Sequence, residues 1–234
     1  QSVIYCVLGE LVMRVGENVM LPEDDLVGAE LGDKRRVSRV MKIAARLGSR
    51  PERSLPEAFG NGSDLDIAYR FFSNEAVEWT SIQAAHAAAS WERAKTRKRV
   101  LAVHDTTDIV FPRRNGRLRE GLAGLTTRTQ GFYLHTSILV AGHCKDEETL
   151  GVVGLRPYVH KSDVENDSDT ATFWKEQNGL LDNEADRWFD AIEKAQKAAP
   201  EGVEVVHVGD RETDNYSLYA RLVKDNYSFV MRNY

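Results

Sequence analysis

Val100-Leu101-Ala102-Val103-His104-Asp105-Thr106-Thr107 is a run of β-formers that ends on a carboxylate and two hydroxyl residues. A hundred residues later the pattern returns in Val203-Glu204-Val205-Val206-His207-Val208-Gly209-Asp210-Arg211-Glu212. Each reads as a buried strand delivering an Asp at its end. Laid side by side, the two strands would bring Asp105 and Asp210 to one point. Paired carboxylates repel and desolvate each other unless a cation lies between them, and hard ions such as Mg²⁺ take oxygen ligands of this kind. The alternative is that each Asp caps the turn after its strand, where Asp is common.

A chain of 234 residues has room for one large domain or two of unequal size. Its two cysteines, Cys6 and Cys144, form neither a CxxC pair nor a zinc spacing, which argues against a disulfide framework or a structural zinc site and fits a reducing cytoplasm. The net charge of -5 hides a strong asymmetry. From 28 to 53 there are eight Lys/Arg against three Asp/Glu, and from 91 to 128 ten against four. From 146 to 190 the balance reverses, with twelve acids against four bases. A basic face for phosphates is therefore compatible with an acidic chain. Solvated helix faces of differing sign are the other reading.

The first 27 residues form an unassigned segment. Its apolar part, Val3 to Met13, is too short to span a bilayer and lacks the basic lead of a signal peptide. The spacing of Val37, Val40, Met41, Ala44 and Leu47 predicts an amphipathic helix over 26–48, or one begun by Asp33 as N-cap, with Gly48 at its stop. Arg35, Arg36, Arg39, Lys42 and Arg46 occupy its other faces, as a phosphate-binding surface or as a merely soluble one. A loop broken by prolines and glycines follows, with one helical turn near Pro56 to Phe59. The aromatic cluster Ala68-Tyr69-Arg70-Phe71-Phe72 comes next, then an Ala-rich helix over 77–96. Residues 28–96 thus read as a small helical domain and 97–234 as an α/β one. In the second, an Arg- and Gly-rich excursion over 111–130 leads to strands over 134–144 and 149–159. One long helix is predicted over 170–198, with Phe173, Trp174, Leu180, Leu181, Trp188, Phe189 and Ile192 as its buried stripe. The strand bearing Asp210, a helix over 215–224 and a strand over 227–232 complete a β-meander followed by αβαβ, an α/β core with a mixed sheet. P-loop, GxSxG and GxGxxG signatures are absent, which weakens an unrelated phosphohydrolase as an alternative.

Five motifs in order, Glu30-Leu31-Gly32-Asp33-Lys34-Arg35-Arg36, Ala68-Tyr69-Arg70-Phe71-Phe72-Ser73-Asn74, His104-Asp105-Thr106-Thr107, Gly131-Phe132-Tyr133-Leu134-His135 and Gly209-Asp210-Arg211-Glu212-Thr213-Asp214, resemble the bacterial cut-and-paste transposases of the IS-four (Tn-five-like) family. The resemblance covers about residues 28–234. It implies a helical domain binding double-stranded DNA at transposon ends, an RNase H-like core with a DDE triad and two metal ions, Mg²⁺ or Mn²⁺, and a homodimer acting on paired ends and target DNA. Asp105 matches the family's first acid and Asp210 its second. The end-binding arginines fall on Arg35, Arg36 and Arg39, with Arg70 a further candidate. Thr106 and Thr107 stand as donors to Asp105 or as ordinary strand residues. By strand alternation, His104 and His207 face away from the acids.

The departure from the pattern concerns the third acid, a Glu in a Tyr-x2-Arg-x3-Glu-x6-Lys run that is found nowhere in this sequence. The expectation is therefore a truncated transposase that binds DNA, holds metal weakly and cleaves poorly or not at all.

Overall fold

Asp33 starts the first helix. Its carboxylate accepts from the Arg35 amide at 2.8 Å, and α1 runs Lys34–Gly48 from that cap, so the later of the two predicted starts is observed. The computed structural model describes residues 23–50, 52–60, 62–113, 117–141, 148–181 and 184–233. Cys6, Cys144 and the apolar segment at 3–13 lie outside them. The chain divides into two units, Gln1–Arg97 with Leu139–Val153, and Lys98–Ile138 with Gly154–Tyr234.

In the first unit, α1 buries Val40, Ile43, Ala44 and Leu47. Val37 and Met41, predicted to join them, are only half-buried. The turn α2 (Leu55–Phe59) begins with Glu57 accepting from the Ser54 amide at 2.9 Å, and Pro56 suits a first turn because its missing N–H is not needed there. Helix α3 (Ser63–Phe72) buries Ala68, Phe71 and Phe72, and α4 (Trp79–Ala94) buries Ile82, His86, Ser90, Trp91 and Ala94. A buried carboxylate ties this unit together. Asp25 pairs with Arg93 at 2.6 Å and with His86 Nδ1 at 2.9 Å. His86 Nε2 accepts from the Val152 amide at 3.0 Å, and Arg93 donates to the Leu150 carbonyl at 2.7 Å. Bonds from His86 and Arg93 hold the Asp25 carboxyl below its ordinary range although burial alone would raise it.

A six-stranded mixed sheet runs in the order β4-β3-β2-β1-β5-β6. The strands are β1 (Arg99–Pro112), β2 (Thr129–Ala141), β3 (Glu148–His160), β4 (Leu180–Leu181), β5 (Glu204–Gly209) and β6 (Ser228–Met231). Parallel pairing joins β1 to β5, β5 to β6 and β3 to β4. In the second unit, helices α6 (Glu184–Ala198) and α7 (Tyr216–Lys224) build one core from Trp188, Phe189, Ile192, Leu218 and Leu222. Tyr227, Phe229 and Met231 pack against that core.

Three predicted elements differ, the first being the strand expected over 134–144, which begins at Thr129. Strand β1 does not stop at Asp105 but continues to Pro112, because its partner β2 begins at Thr129 and extends the pairing. The long helix predicted over 170–198 is two helices, α5 (Ser168–Glu176) and α6, separated by β4. Asn178 takes a left-handed φ of 53°, and a Cβ at Gly179 would approach Trp174 Cε3 to 2.5 Å. Apolar periodicity alone carried the prediction across this break. Phe173 is exposed rather than part of a buried stripe.

Candidate nucleic-acid interface and carboxylate pair

The register of β1 and β5 ends at Val103↔Val208. Projected two residues further, it sets Asp105 level with Asp210 on neighbouring strands, which lie about 4.8 Å apart in a sheet. Asp105 is half-buried within β1, whereas Asp210 is exposed just beyond β5. Asp210 also caps the 3-10 turn Arg211–Thr213, its carboxylate accepting from the Glu212 amide at 2.9 Å. The turn-capping role is thus real for Asp210 and occupies its Oδ1. Two carboxylates are the right donors for Mg²⁺ or Mn²⁺ but too few to enclose one. Among the described residues no group of three His, Cys, Asp or Glu side chains is placed to share a cation. Glu212, in the same turn, pairs with Arg187 at 3.0 Å.

Behind the pair, on the opposite face of the sheet, three histidines are buried. With the Gln196 carbonyl oxygen facing it at 3.1 Å, His207 Nε2 must donate, so His207 Nδ1 accepts from His104 Nε2 at 3.0 Å. His104 Nδ1 then accepts from the Ser137 hydroxyl at 2.8 Å. His135 bonds Thr106 at 2.9 Å, so Thr106 faces this side rather than Asp105. Burial holds His104 far below its ordinary value, His207 at about 4 and His135 at about 3, the last helped by Arg187 and Arg156. All three are neutral at pH 7.

In the helical unit, Arg35, Arg39, Lys42 and Arg46 follow one another at i, i+4, i+7 and i+11, which is one stripe of α1. All four are exposed and line a cleft of about 450 Å³, with Phe59 and Ile67 also in its wall and Asp64 the one acid. Arg46 is braced by the Ala58 carbonyl at 3.1 Å, while the Asp33 carboxylate lies 3.4 Å from exposed Arg35. Arg36 lies off this stripe. It is part-buried and donates to the Leu31 carbonyl at 2.7 Å. Arg70, on α3, is exposed and donates to the Asp66 carbonyl of its own helix at 3.3 Å.

Residues 22–77 match the transposase DNA-binding family. The match supports a transposase that binds DNA. The matched residues contain α1, α2 and α3, hence the whole cationic stripe together with Arg36 and Arg70, and they stop short of both Asp105 and Asp210.

Several organising residues escaped the sequence reading. Arg187 is buried on α6, bonded to Glu212 and to the Tyr158 hydroxyl and lying 4.9 Å from the Tyr158 ring centroid. Gln130 and the Asp25–His86–Arg93 cluster were equally invisible. Their partners lie 11 to 68 residues away, and no local spacing marks such pairs.

Proposed function

We infer that this chain is a transposase of the IS-four (Tn-five-like) type, binding double-stranded DNA at transposon ends through the α1 stripe. The observation that carries the reading is the coincidence of four aligned, exposed cations with the residues matched to a transposase DNA-binding domain. Cationic side chains on one helix face neutralise consecutive phosphates, and Arg offers two donors per phosphate. In this proposal Arg35 and Arg39 act with Lys42 and Arg46, Arg70 flanks them, and Arg36 braces the loop ahead of α1.

The second half of the proposal is an RNase H-like core. Its support is the strand order, in which β3, β2 and β1 lie side by side and are followed by parallel β5 and β6. Asp105 and Asp210 would be the first two acids of a DDE site for DNA strand cleavage and transfer. A divalent ion, when bound, would supply activation of the attacking oxygen and stabilisation of the leaving one. The protein's own part is to hold the two carboxylates level and in reach of solvent. A homodimer on paired ends and a cytoplasmic location belong to the same proposal. Among the described residues no helix is long and apolar enough to cross a membrane.

A second reading, DNA binding without strand cleavage, draws on the carboxylate count. Nicking of a supercoiled plasmid carrying candidate ends, with Mg²⁺ or Mn²⁺, separates the two. Metal-dependent nicking lost in Asp105→Ala and in Asp210→Ala supports the catalytic reading. Salt-sensitive binding with no nicking supports the second. Absence of binding overturns both.

A further inference from the structure

The excursion between β1 and β2 is basic and firmly held. Of its described charged residues, Arg113, Arg117, Arg119 and Arg128 face a single acid, Glu120. Gln130, fully buried, accepts from the Arg119 amide at 2.7 Å and donates to the Pro112 carbonyl at 3.2 Å. Burying an amide side chain is costly unless it is bonded, and here both bonds fix the same excursion. Further along, Leu122 and Ala123 are buried, Ala123 bridges back to Gly131, and Trp174 Nε1 donates to the Gly121 carbonyl at 3.1 Å. Arg113 is consumed internally, donating to the Thr129 carbonyl at 3.1 Å. Arg117, Arg119 and Arg128 remain exposed on the platform so formed, Arg119 with its guanidinium 5.8 Å from the Phe111 ring centroid.

We propose that this platform is a second DNA-binding surface, separate from the α1 stripe, which grips duplex phosphates alongside the Asp105–Asp210 pair through Arg117, Arg119 and Arg128. The proposal rests on the transposase reading given above. Three guanidinium groups on a pinned loop suit a polyanion of regular charge spacing, since little side-chain support has to be ordered at binding. The reach is set by the strands. From Asp105 to the Arg113/Arg128 end of the pairing is eight residues of β1, about 27 Å at ~3.4 Å per residue. The same length of DNA is about eight base pairs, at 3.4 Å per step along a strand. The fold-back at Ala123 and Gly131 returns the loop part of that way.

The test is the salt dependence of binding of the full chain to a linear DNA duplex, for wild type, for Arg117→Ala/Arg119→Ala/Arg128→Ala and for the corresponding triple Lys variant. Each phosphate contact contributes about 0.9 to the slope of log K against log salt. The Ala variant is expected to lose about two to three units of slope, with an unchanged melting temperature, and the Lys variant to keep them. Ethylation interference should show the lost phosphates to be different from those lost in an Arg35/Arg39/Lys42/Arg46 variant. Wild-type binding with an unaltered slope in the Ala variant overturns the platform but leaves the transposase reading standing. No binding by the wild type overturns that reading and the platform with it.

Discussion

His104 Nε2 and His207 Nδ1 face each other at 3.0 Å across β1 and β5, His207 one residue before the last register pair Val103↔Val208 and His104 one residue after it. Asp105 and Asp210 follow at the ends of these strand segments, so the histidine bond ties the two strands together just behind the carboxylates. Replacing His207 by Leu should leave His104 Nε2–H buried without an acceptor, at a cost of about 1–3 kcal/mol. Asn at 207 can present its carbonyl oxygen where Nδ1 stands and should retain part of that stability. Urea unfolding of the two variants checks this, and equal losses in both would show that packing rather than the bond matters.

Acid should weaken the second unit before it weakens the first. His207 titrates at about 4 and His135 at about 3 in the fold, against an ordinary 6.5, so the unfolded chain binds more protons between those values. The stabilisation they give is complete above pH 6.5 and is lost as pH falls through their folded values, with most of the loss between about 6.5 and 4. Asp25 is also depressed, from 3.8, and its contribution goes only below that ordinary value. Hydrogen exchange followed from pH 7 to 4 should therefore show β1 and β5 opening ahead of α4.

Neighbouring arginines on α1 should behave oppositely. Arg39→Ala removes an exposed cation of the stripe, so the salt slope of DNA binding should fall by about 0.9 with little change in stability. Arg36→Ala removes the bond to the Leu31 carbonyl and should cost about 1 kcal/mol of folding stability with the slope nearly intact. Parallel salt titrations and melts of the two variants distinguish them.

Gly209 closes β5 in a crowded place. An added Cβ would come within 2.8 Å of Met231 Sδ and within 3.3 Å of Trp188, and would collide with the Thr213 methyl. Gly209→Ala should destabilise by about 1–3 kcal/mol, as overpacking does. It should also displace the turn that begins at Asp210. A melting temperature equal to wild type would contradict this.

Much of the architecture was legible because local rules carry it. Asp33 was readable as a cap, and the β-branched runs around Val103 and Val206 were readable as strands. The acids were legible for the same reason, as polar residues set in or just after apolar strands. What stayed hidden was decided by partners distant in sequence. The split of the predicted 170–198 helix turns on Asn178 and on Gly179 lying against Trp174. The extension of β1 to Pro112 depends on β2 beside it, and the division of labour between Arg36 and Arg39 depends on a carbonyl at Leu31. Sequence periodicity placed both arginines on one helix but carried no information about which of them folding would occupy.

The Asp25 cluster bears on how this protein is made and dissected. Asp25 leaves the ribosome early, yet His86 and Arg93 follow some sixty residues behind it, and the Leu150 and Val152 backbone groups that complete the set later still. The first unit must therefore wait, partly assembled, while the first strands of the other unit are already being synthesised. An excised fragment covering only the family match at 22–77 would carry the cationic stripe but strand the Asp25 carboxylate without any of its partners. A fragment ending at Arg97 would restore the ion pair and still lack the backbone groups of 150–152. Anyone preparing this unit in isolation should splice residues 139–153 back onto it.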